Sequence, residues 1–448
     1  MSIVRGTQLN FAIPGDLVKQ VFDGRCDRRE FGTAYRGGDG QAVLPVKLTC
    51  LDPLMHIREV KIDLWTGVAG QARPASRQQP PALPGDSHHT TCSTLDAGAA
   101  RTADVPLPKA EAGQVCWLQP ILVTDSGQTI WEKALVVPPE AQVILERKAA
   151  MLHFQPAVAA IERTIQARNT MTITLYRGKD SVTVSQKMDG KALESLSPDP
   201  RGIGTFIRLT LGDCPFTRKG GGQELAPPPQ TRALLSQYSP TFLVDASNAC
   251  KERGKRNFTV LPQTYRETVE HMYEDVCNAY ESTTLPLPNR TVKPLESWPA
   301  RMPLFVLANG KRRLQDIFVT CVYEGVHAEA GREEAYIALS GVVKGRGQQA
   351  AVVLGKAHGH AHFDVEKGFF TLVQLTVRSE LEIEESSMRI LVEDESVVRR
   401  DEGNQLGIKA AVQNQPSGGA AAQTGPKPPP VGPKLPARPR PPVRPKRR

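Results

Sequence analysis

The sequence lacks any run of about 18 consecutive apolar residues, the length that a membrane-spanning helix needs. We therefore expect no membrane span in this chain. Its eight cysteines include no CxxC pair and no close cluster, which argues against a zinc ribbon or a thioredoxin-like site. The first fifteen residues also lack the order of a signal peptide, since Pro14 falls where an apolar core should continue. Export is expected only if an upstream segment is missing, so the sequence leaves the compartment unknown.

Acidic residues are absent after residue 402, and this absence explains most of the net charge. The formal charge is +9. Eight of these charges come from Lys427, Lys434, Arg438, Arg440, Arg444, Lys446, Arg447 and Arg448. The rest of the chain is close to neutral, so no basic groove is expected in the folded part, and we predict no specific nucleic-acid binding there. No motif for a cofactor is present, and none is expected.

Alternating apolar and polar residues, with 37 glycines and 37 prolines, predict a mainly β protein. The expected fold is an all-β sandwich followed by a curved antiparallel sheet of α+β type and a disordered C-terminal tail. The predicted ranges are a sandwich of immunoglobulin-like or other topology at 40–139, a linker helix at 140–165, the curved sheet at 166–398 and a proline-rich basic tail at 402–448. Within the sheet domain, apolar residues at helical spacing predict one helix at 263–281.

The stretch TQLNFAIPGDLVKQVF, residues 7–22, reads as a strand that runs into a short helix with Pro14 in its first turn. It resembles, over residues 8–24, the C-terminal strand and helix of the protease domain in trypsin-like serine proteases of the HtrA (Deg) group. This resemblance implies that residues 1–24 are a remnant of a protease-like domain. The family's nucleophilic serine lies upstream of this strand, so no family catalytic residue is matched here.

The segment PGDSHH, residues 84–89, is the only stretch that invites comparison with a serine-protease nucleophile. His88 and His89 follow Ser87, whereas glycines are needed there to let backbone N–H groups approach an oxyanion. His56, Asp63 and Ser87 follow the order of a chymotrypsin triad, but this span is too short to hold the two barrels that such a triad requires. We expect no catalytic site and no casein hydrolysis by this chain.

The segment HGHAH is the candidate metal site. On a strand, His358, His360 and His362 would point to one face, and neighbouring histidines at i and i+2 could share a zinc ion. A third ligand would have to come from elsewhere, with His327 or Asp364 as the only suggestions. We therefore predict no metal site, and we keep His358 and His360 as weak candidates against a solvated histidine stripe.

Two further features leave alternatives open. Cys50 and Cys116 stand on predicted strands of one domain and could pair, although buried free thiols are the plainer interpretation. The basic turn GKRR, residues 310–313, could contact an acidic partner or simply be solvated.

These observations predict a non-catalytic, β-rich accessory or binding region of an HtrA-like lineage, which binds an unknown protein or an envelope component. One alternative is a truncated gene model of a secreted trypsin-like serine protease. Another is a lipid- or ligand-carrying half-barrel, because the curved sheet is similar in pattern to LolA-like lipoprotein carriers. That alternative requires a large apolar cavity between the sheet and its helix.

Overall fold

The structure is a computed structural model of the chain. It describes residues 15–68, 88–92, 100–178, 180–220, 223–225, 227–308, 311–329, 331–345, 353–383 and 388–408. The predicted strand before Gly15, Ser87 and the predicted tail beyond residue 408 lie outside these residues. Within them the chain is mainly β and its sheets are antiparallel, which confirms the predicted fold class. No helix among the described residues is long and apolar enough to cross a membrane.

The helices are α1 Gly15–Phe22, α2 Pro229–Leu235 and α3 Gln263–Glu281, with a 3-10 turn at Pro139–Gln142. The strands of the first part are β1 Arg25–Phe31, β2 Tyr35–Arg36, β3 Ala42–Leu51, β4 Ile57–Val68, β5 His88–Cys92, β6 Ala100–Pro106, β7 Gln114–Thr124, β8 Thr129–Trp131, β9 Leu135–Val136 and β10 Ala150–Leu152. The later strands are β11 Ile161–Arg177, β12 Asp180–Pro198, β13 Thr205–Leu211, β14 Phe216–Gly220, β15 Gln223–Leu225, β16 Thr241–Val244, β17 Cys250–Arg253, β18 Arg290–Val292, β19 Ser297–Ala308, β20 Lys311–Glu329, β21 Arg332–Gly345, β22 Val353–Asp364, β23 Phe369–Ile383 and β24 Met388–Glu402.

Strands β1 to β9 form two sheets with a shared core. One sheet centres on β3, which pairs with β1, β2 and β6, and the other centres on β4 and β7. Leu44, Leu48, Ile62 and Leu118, from both sheets, are fully buried in this core. The sandwich starts earlier than the predicted residue 40, because β1 and β2 belong to it. The pattern missed β1 because this largely polar strand buries only one of its side chains fully.

The helix predicted at 140–165 is wrong. The chain there forms the 3-10 turn, strand β10 and the start of β11. Its alanine, glutamate and arginine content favours a helix, but Leu145, Leu152 and Phe154 are buried in an extended connection, and Pro156 removes a helical donor. Burial of these side chains therefore outweighs local propensity.

Thirteen strands of the described chain form one antiparallel sheet. Its main path is β17-β16-β13-β12-β11-β24-β23-β22-β21-β20-β19, with β14 on β12 and β15 on β14. The last strand, β24, pairs with β11 from Arg163↔Glu402 to Arg177↔Met388, so strands more than two hundred residues apart meet in the middle of the sheet.

Helix α3 packs on one face of this sheet. Its buried side chains include Val269, Met272, Tyr273 and Val276, the residues whose spacing predicts the helix. They share one core with inward residues of the strands, such as Val373 and Val398. The opposite face of the sheet carries mostly polar side chains, so the two faces differ as alternation in each strand requires.

The folded chain continues beyond the predicted boundary at 402, which is therefore wrong. Glu402 still belongs to β24. The backbone N–H of Gly403 donates to the carbonyl of Glu162, and Gln405 N–H donates to Thr164 Oγ1. This stretch has the polar composition of a tail. The sequence pattern misses it because hydrogen bonds, and not apolar side chains, attach it to the sheet.

A narrow seam joins the sandwich to the large sheet. Gly325 interrupts the pairing of β20 with a register shift and has φ of +153°. A Cβ atom there would lie 2.7 Å from the carbonyl oxygen of Glu146. Beside it, Thr33 Oγ1 donates to Glu324 Oε2 at 2.6 Å. The close backbone approach at Gly325 therefore fixes how the sandwich connects to β20.

We predict that Gly325→Ala lowers the free energy of unfolding by about 2–4 kcal/mol, since it adds both a backbone strain and a clash with a carbonyl group. Urea unfolding measures this change. Gly331→Ala is the matched control, because Gly331 also has positive φ but has open space around it. It should cost about 1 kcal/mol. Equal losses in both variants would show that the close approach at the seam contributes nothing.

Candidate functional site

The structure does not assemble the residues that follow the order of a serine-protease triad. His56 Nδ1 lies 3.3 Å from Asp125 Oδ2 on the protein surface. Asp63 is buried on β4, seven residues further along the strand, which corresponds to roughly 20 Å. Ser87 lies outside the described residues. His56 therefore has a carboxylate partner, but not the one that the triad order requires.

The three histidines of β22 lie on one face of the sheet, as the alternation predicts. Ala357, Ala361 and Phe363 are buried on the other face. His362 stacks on Tyr336 at 3.9 Å between ring centroids, and its Nδ1 lies 3.6 Å from Glu334 Oε2.

The suggested third metal ligands are engaged elsewhere. His327 Nδ1 lies 3.1 Å from the Ile144 carbonyl, and Asp364 Oδ1 accepts a hydrogen bond from the Lys367 N–H at 2.8 Å. Within the described ranges, no group of three or more His, Cys, Asp or Glu side chains could hold a metal ion. Of the three histidines, His362 is thus held by its stack on Tyr336 and its contact with Glu334.

The suggested pairing of Cys50 with Cys116 is wrong in this structure. Cys116 lies on β7 in the facing sheet, whereas Cys50 lies opposite Cys26, with 3.8 Å between the two sulfur atoms. Seven cysteines are free thiols, and all of them except the half-buried Cys250 are buried: Cys26, Cys50, Cys116, Cys214, Cys250, Cys277 and Cys321. The alternative interpretation, buried free thiols, is confirmed for these residues.

A small polar cleft lies between α3 and the sheet. It has a volume of about 30 Å³ and is lined by Asn169, Met171, Gln186, Asp275, Asn278, Ala279, Ser282, Pro303 and Asp394. Asn169 Nδ2 donates to Asp394 Oδ1 at 2.6 Å and to Ser396 Oγ at 2.8 Å. On the helix side, Gln186 Nε2 donates to Asp275 Oδ2 at 3.1 Å. Two carboxylates from different elements therefore face the same cleft.

The pKa of the Asp394 carboxyl group in this cleft is raised. Burial raises its pKa to about 6, and the negative charge of Asp275 acts in the same direction, while the hydrogen bond from Asn169 partly opposes them. A buried carboxyl group that changes its charge near neutral pH could hold or release a proton. The volume admits one or two water molecules and no larger ligand.

An apolar cavity lies beside this cleft, also between α3 and the sheet. It is lined by side chains that include Ile165, Met188, Leu209, Val276 and Val398. Its volume is about 40 Å³. Ligand-binding cavities typically measure roughly 300–1,000 Å³, so this one is far too small for a lipid chain in the described conformation.

The outer face of the sheet carries a contiguous exposed group that we call the Phe318 patch: Arg301, Phe318, Val342, Lys344 and Lys356. Four of these residues form one cross-strand row, because Arg301 pairs with Phe318, Phe318 with Val342, and Val342 with Lys356. Phe318 is 40% exposed and Val342 is 45% exposed. The row thus places two apolar side chains between two cations.

Cations also cover the ring of Phe318. The Lys344 ammonium lies 5.3 Å from the ring centroid and the Arg301 guanidinium 5.7 Å from it. Arg301 bonds Asp316 at 2.6 Å, whereas Lys344 and Lys356 form no ion pair within the described part of the chain. The patch is therefore apolar at its centre and positively charged at its rim.

Sequence reasoning missed both the cleft and the patch. For the patch the sequence does contain a signal. In the strand sequence RLQDIFVTCVY, the alternate residues Asp316, Phe318 and Thr320 lie on the same face, so Phe318 is an aromatic residue on the polar face of the strand. For the cleft no such signal exists, because Asn169, Asp275 and Asp394 come from three elements that only the folded sheet brings together.

We predict that Asp394→Asn stabilises the protein at pH 7 by about 2 kcal/mol and has little effect at pH 4. The pKa of Asp394 is raised from 3.8 to about 6 in the folded state. Its contribution to stability is therefore present below about pH 4 and is lost as the pH rises through about 6. Thermal unfolding between pH 4 and 8 measures this difference.

Glu393→Gln is the matched control, since Glu393 is half exposed on the other face of the same strand. It should leave the stability profile nearly unchanged. A loss of stability in Asp394→Asn at every pH would mean that the carboxyl group is needed for its hydrogen bonds in either charge state, and would contradict the prediction.

Comparisons with known proteins assign no family. No protein-family model matches the chain, and no curated protein matches it. Among solved structures, one described as "Lipid-protein interactions in lipovitellin" is similar over 58% of this chain and 27% of that chain, with 9% sequence identity and a TM-score of 0.33. The chain thus spans about a quarter of the lipovitellin chain. A likeness this weak carries no argument about fold or function, and the immunoglobulin-like and serine-protease-like expectations gain no support.

Proposed function

We propose that the chain is a non-catalytic binding region, and that its Phe318 patch binds an acidic segment of a partner protein. The observation that carries this proposal is the row Arg301–Phe318–Val342–Lys356, which exposes an aromatic and an aliphatic side chain between cations. Aromatic residues and arginine are enriched at protein interfaces, and a few such anchors supply most of the binding energy. The partner supplies an apolar side chain for the centre and carboxylates for the rim.

The energetics support this surface as a binding site. Complete burial of a fully exposed Phe or Val side chain contributes about 1.5–3 kcal/mol, so covering Phe318 and Val342, which are 40% and 45% exposed, contributes roughly half of that for each. Lys344 and Lys356 have no carboxylate of their own within the described residues, so an acidic partner does not need to break an existing ion pair with them.

A lipid-carrying half-barrel, the alternative from the sequence, is less well supported. It requires a large cavity between the sheet and α3, and the apolar cavity there measures about 40 Å³. Lipid binding would need α3 to move away from the sheet. Tyr280 on α3 opposes such a movement, because its hydroxyl donates to the buried Glu194 at 2.6 Å.

We also propose that the N-terminal segment descends from an HtrA-like protease domain. Its strand lies outside the described residues, but the helix that follows it is present as α1. Val18 is 39% exposed and Phe22 is 48% exposed. An amphipathic helix of eight residues with an exposed apolar face is consistent with a segment that has lost its original packing partner.

We predict that a random copolymer of glutamate and tyrosine binds the chain, and that Phe318→Ala and Lys344→Glu each weaken this binding about tenfold. Isothermal titration calorimetry with the chain shortened to residue 408 measures the affinity without the basic tail, which would attract any polyanion. Binding should weaken as salt is added, since part of it is electrostatic.

Polyglutamate of equal length tests the apolar contribution and should bind more weakly. Val182→Ala and Arg168→Glu are matched controls, because both side chains are exposed on other strands of the sheet. They should leave the affinity unchanged. Equal affinity of all variants, or no binding of the copolymer, would contradict the proposed site.

The proposed ancestry predicts fast amide hydrogen exchange across residues 1–24 and a first proteolytic cut before about residue 40. An unpartnered segment frays, because it forgoes the burial that stabilises a packed strand or helix. Exchange measured by mass spectrometry should be much slower at Val60–Leu64 of β4, the internal reference. Equally slow exchange in α1 would show that this helix belongs to the present fold.

A further inference from the structure

Two thiols of the sandwich face each other across neighbouring strands. Cys26 on β1 and Cys50 on β3 are direct partners in the antiparallel register. Their sulfur atoms lie 3.8 Å apart, and each residue is only 3% exposed. Both are free thiols in this structure.

The backbone already has the spacing that a disulfide needs. Directly opposed residues in antiparallel strands have Cα atoms about 4.5–5.5 Å apart, and disulfides bridge Cα atoms about 4.4–6.8 Å apart. Only small side-chain movements separate the two sulfur atoms from a bond. We propose that Cys26 and Cys50 form an oxidative modification site, where a glutathione-type disulfide converts them to an intrachain disulfide that links β1 to β3.

The surroundings of the pair favour reaction at Cys50. The pKa of the Cys50 thiol is lowered by its hydrogen bond with Cys26 and by the positive charge of Arg101, and that of Cys26 is raised by the same hydrogen bond. Arg101 is itself buried, so its charge acts at low dielectric. Thiolates are the attacking species in disulfide exchange.

The reaction balances in two exchange steps. The Cys50 thiolate attacks a sulfur of glutathione disulfide, forms a mixed disulfide and releases one glutathione thiolate. Cys26 then loses its proton, attacks the Cys50 sulfur and releases the second glutathione thiolate. Two protein thiols are oxidised, and one glutathione disulfide is reduced to two glutathione molecules.

Access to the buried sulfur atoms requires β1 to open. Among the described strands, β1 pairs only with β3, so it is an edge strand. Its other anchors are contacts with Glu132, which accepts from the Cys26 N–H at 3.3 Å and from Arg29 at 3.1 Å. Oxidation should therefore be fast while the chain folds and slow in the folded protein.

The test is to refold the full chain in a glutathione redox buffer, block free thiols in denaturant and digest with trypsin without reduction. We expect residues 26–28 to be linked to residues 48–58, and two fewer of the eight cysteines to be alkylated. Cys26→Ser and Cys50→Ser should each abolish this linked peptide. Cys116→Ser is the control, because Cys116 is buried in the same sandwich but in the facing sheet, and it should leave the link intact.

A stability readout distinguishes a native link from an incidental one. The oxidised chain should melt several degrees higher than the reduced chain. The Cys26→Ala/Cys50→Ala variant should lose this difference, and it remains informative if a single serine does not fold. Full alkylation of all eight cysteines, a link to another cysteine, or equal melting of both forms would overturn the proposal.

Discussion

The large sheet depends on a buried ionic cluster beneath the C-terminal end of α3. Tyr280 of the helix donates to Glu194 of β12 at 2.6 Å, and Glu194 lies 3.7 Å from Arg163 of β11 and 3.5 Å from Arg400 of β24. All four side chains are buried. Burial lowers the pKa of Arg163 and raises that of Tyr280. One carboxylate thus contacts two cations and the helix at the same time.

This cluster fixes the register in which the sheet closes. Strands β24 and β11 are more than two hundred residues apart in the sequence. No local turn can therefore set the register in which they pair. A slip by one residue would turn Arg400 to the outer face and leave Glu194 with fewer partners. Phe369 and Tyr280 present ring faces to the two guanidinium groups at 4.2 and 5.4 Å, which helps to hold the second positive charge. Removal of one member of such a cluster leaves an uncompensated buried charge, which is strongly destabilising.

Patterns of alternation and helical spacing predict the fold class and α3, because both depend on local burial. These patterns give wrong predictions where contacts with residues far away in the sequence determine the local structure. The segment 140–165 has helical composition but is extended, since Leu145 and Phe154 are buried against other elements. The neighbour of Cys50 is Cys26 and not Cys116. The sequence does not predict this pair, because β1 has too few apolar residues to reveal that it is a strand or how it pairs. Of the candidate site, only Phe318 could be found from sequence, by its parity on β20.

Two carboxylates that are buried under the same helix differ in how their negative charge is compensated. Glu194 lies beside two arginines and a tyrosine hydroxyl, so its charge is compensated and it acts as a structural anchor. Asp394 accepts a hydrogen bond from the neutral side-chain amide of Asn169 and faces a second carboxylate, Asp275. Burial raises the pKa of Asp394 to about 6, and the charge of Asp275 acts in the same direction. The fold would be more stable without this carboxylate at neutral pH. The effect of a buried carboxylate on this fold is therefore decided by its partners: two cations offset the desolvation of Glu194, whereas Asp394 has a neutral amide and a second carboxylate beside it.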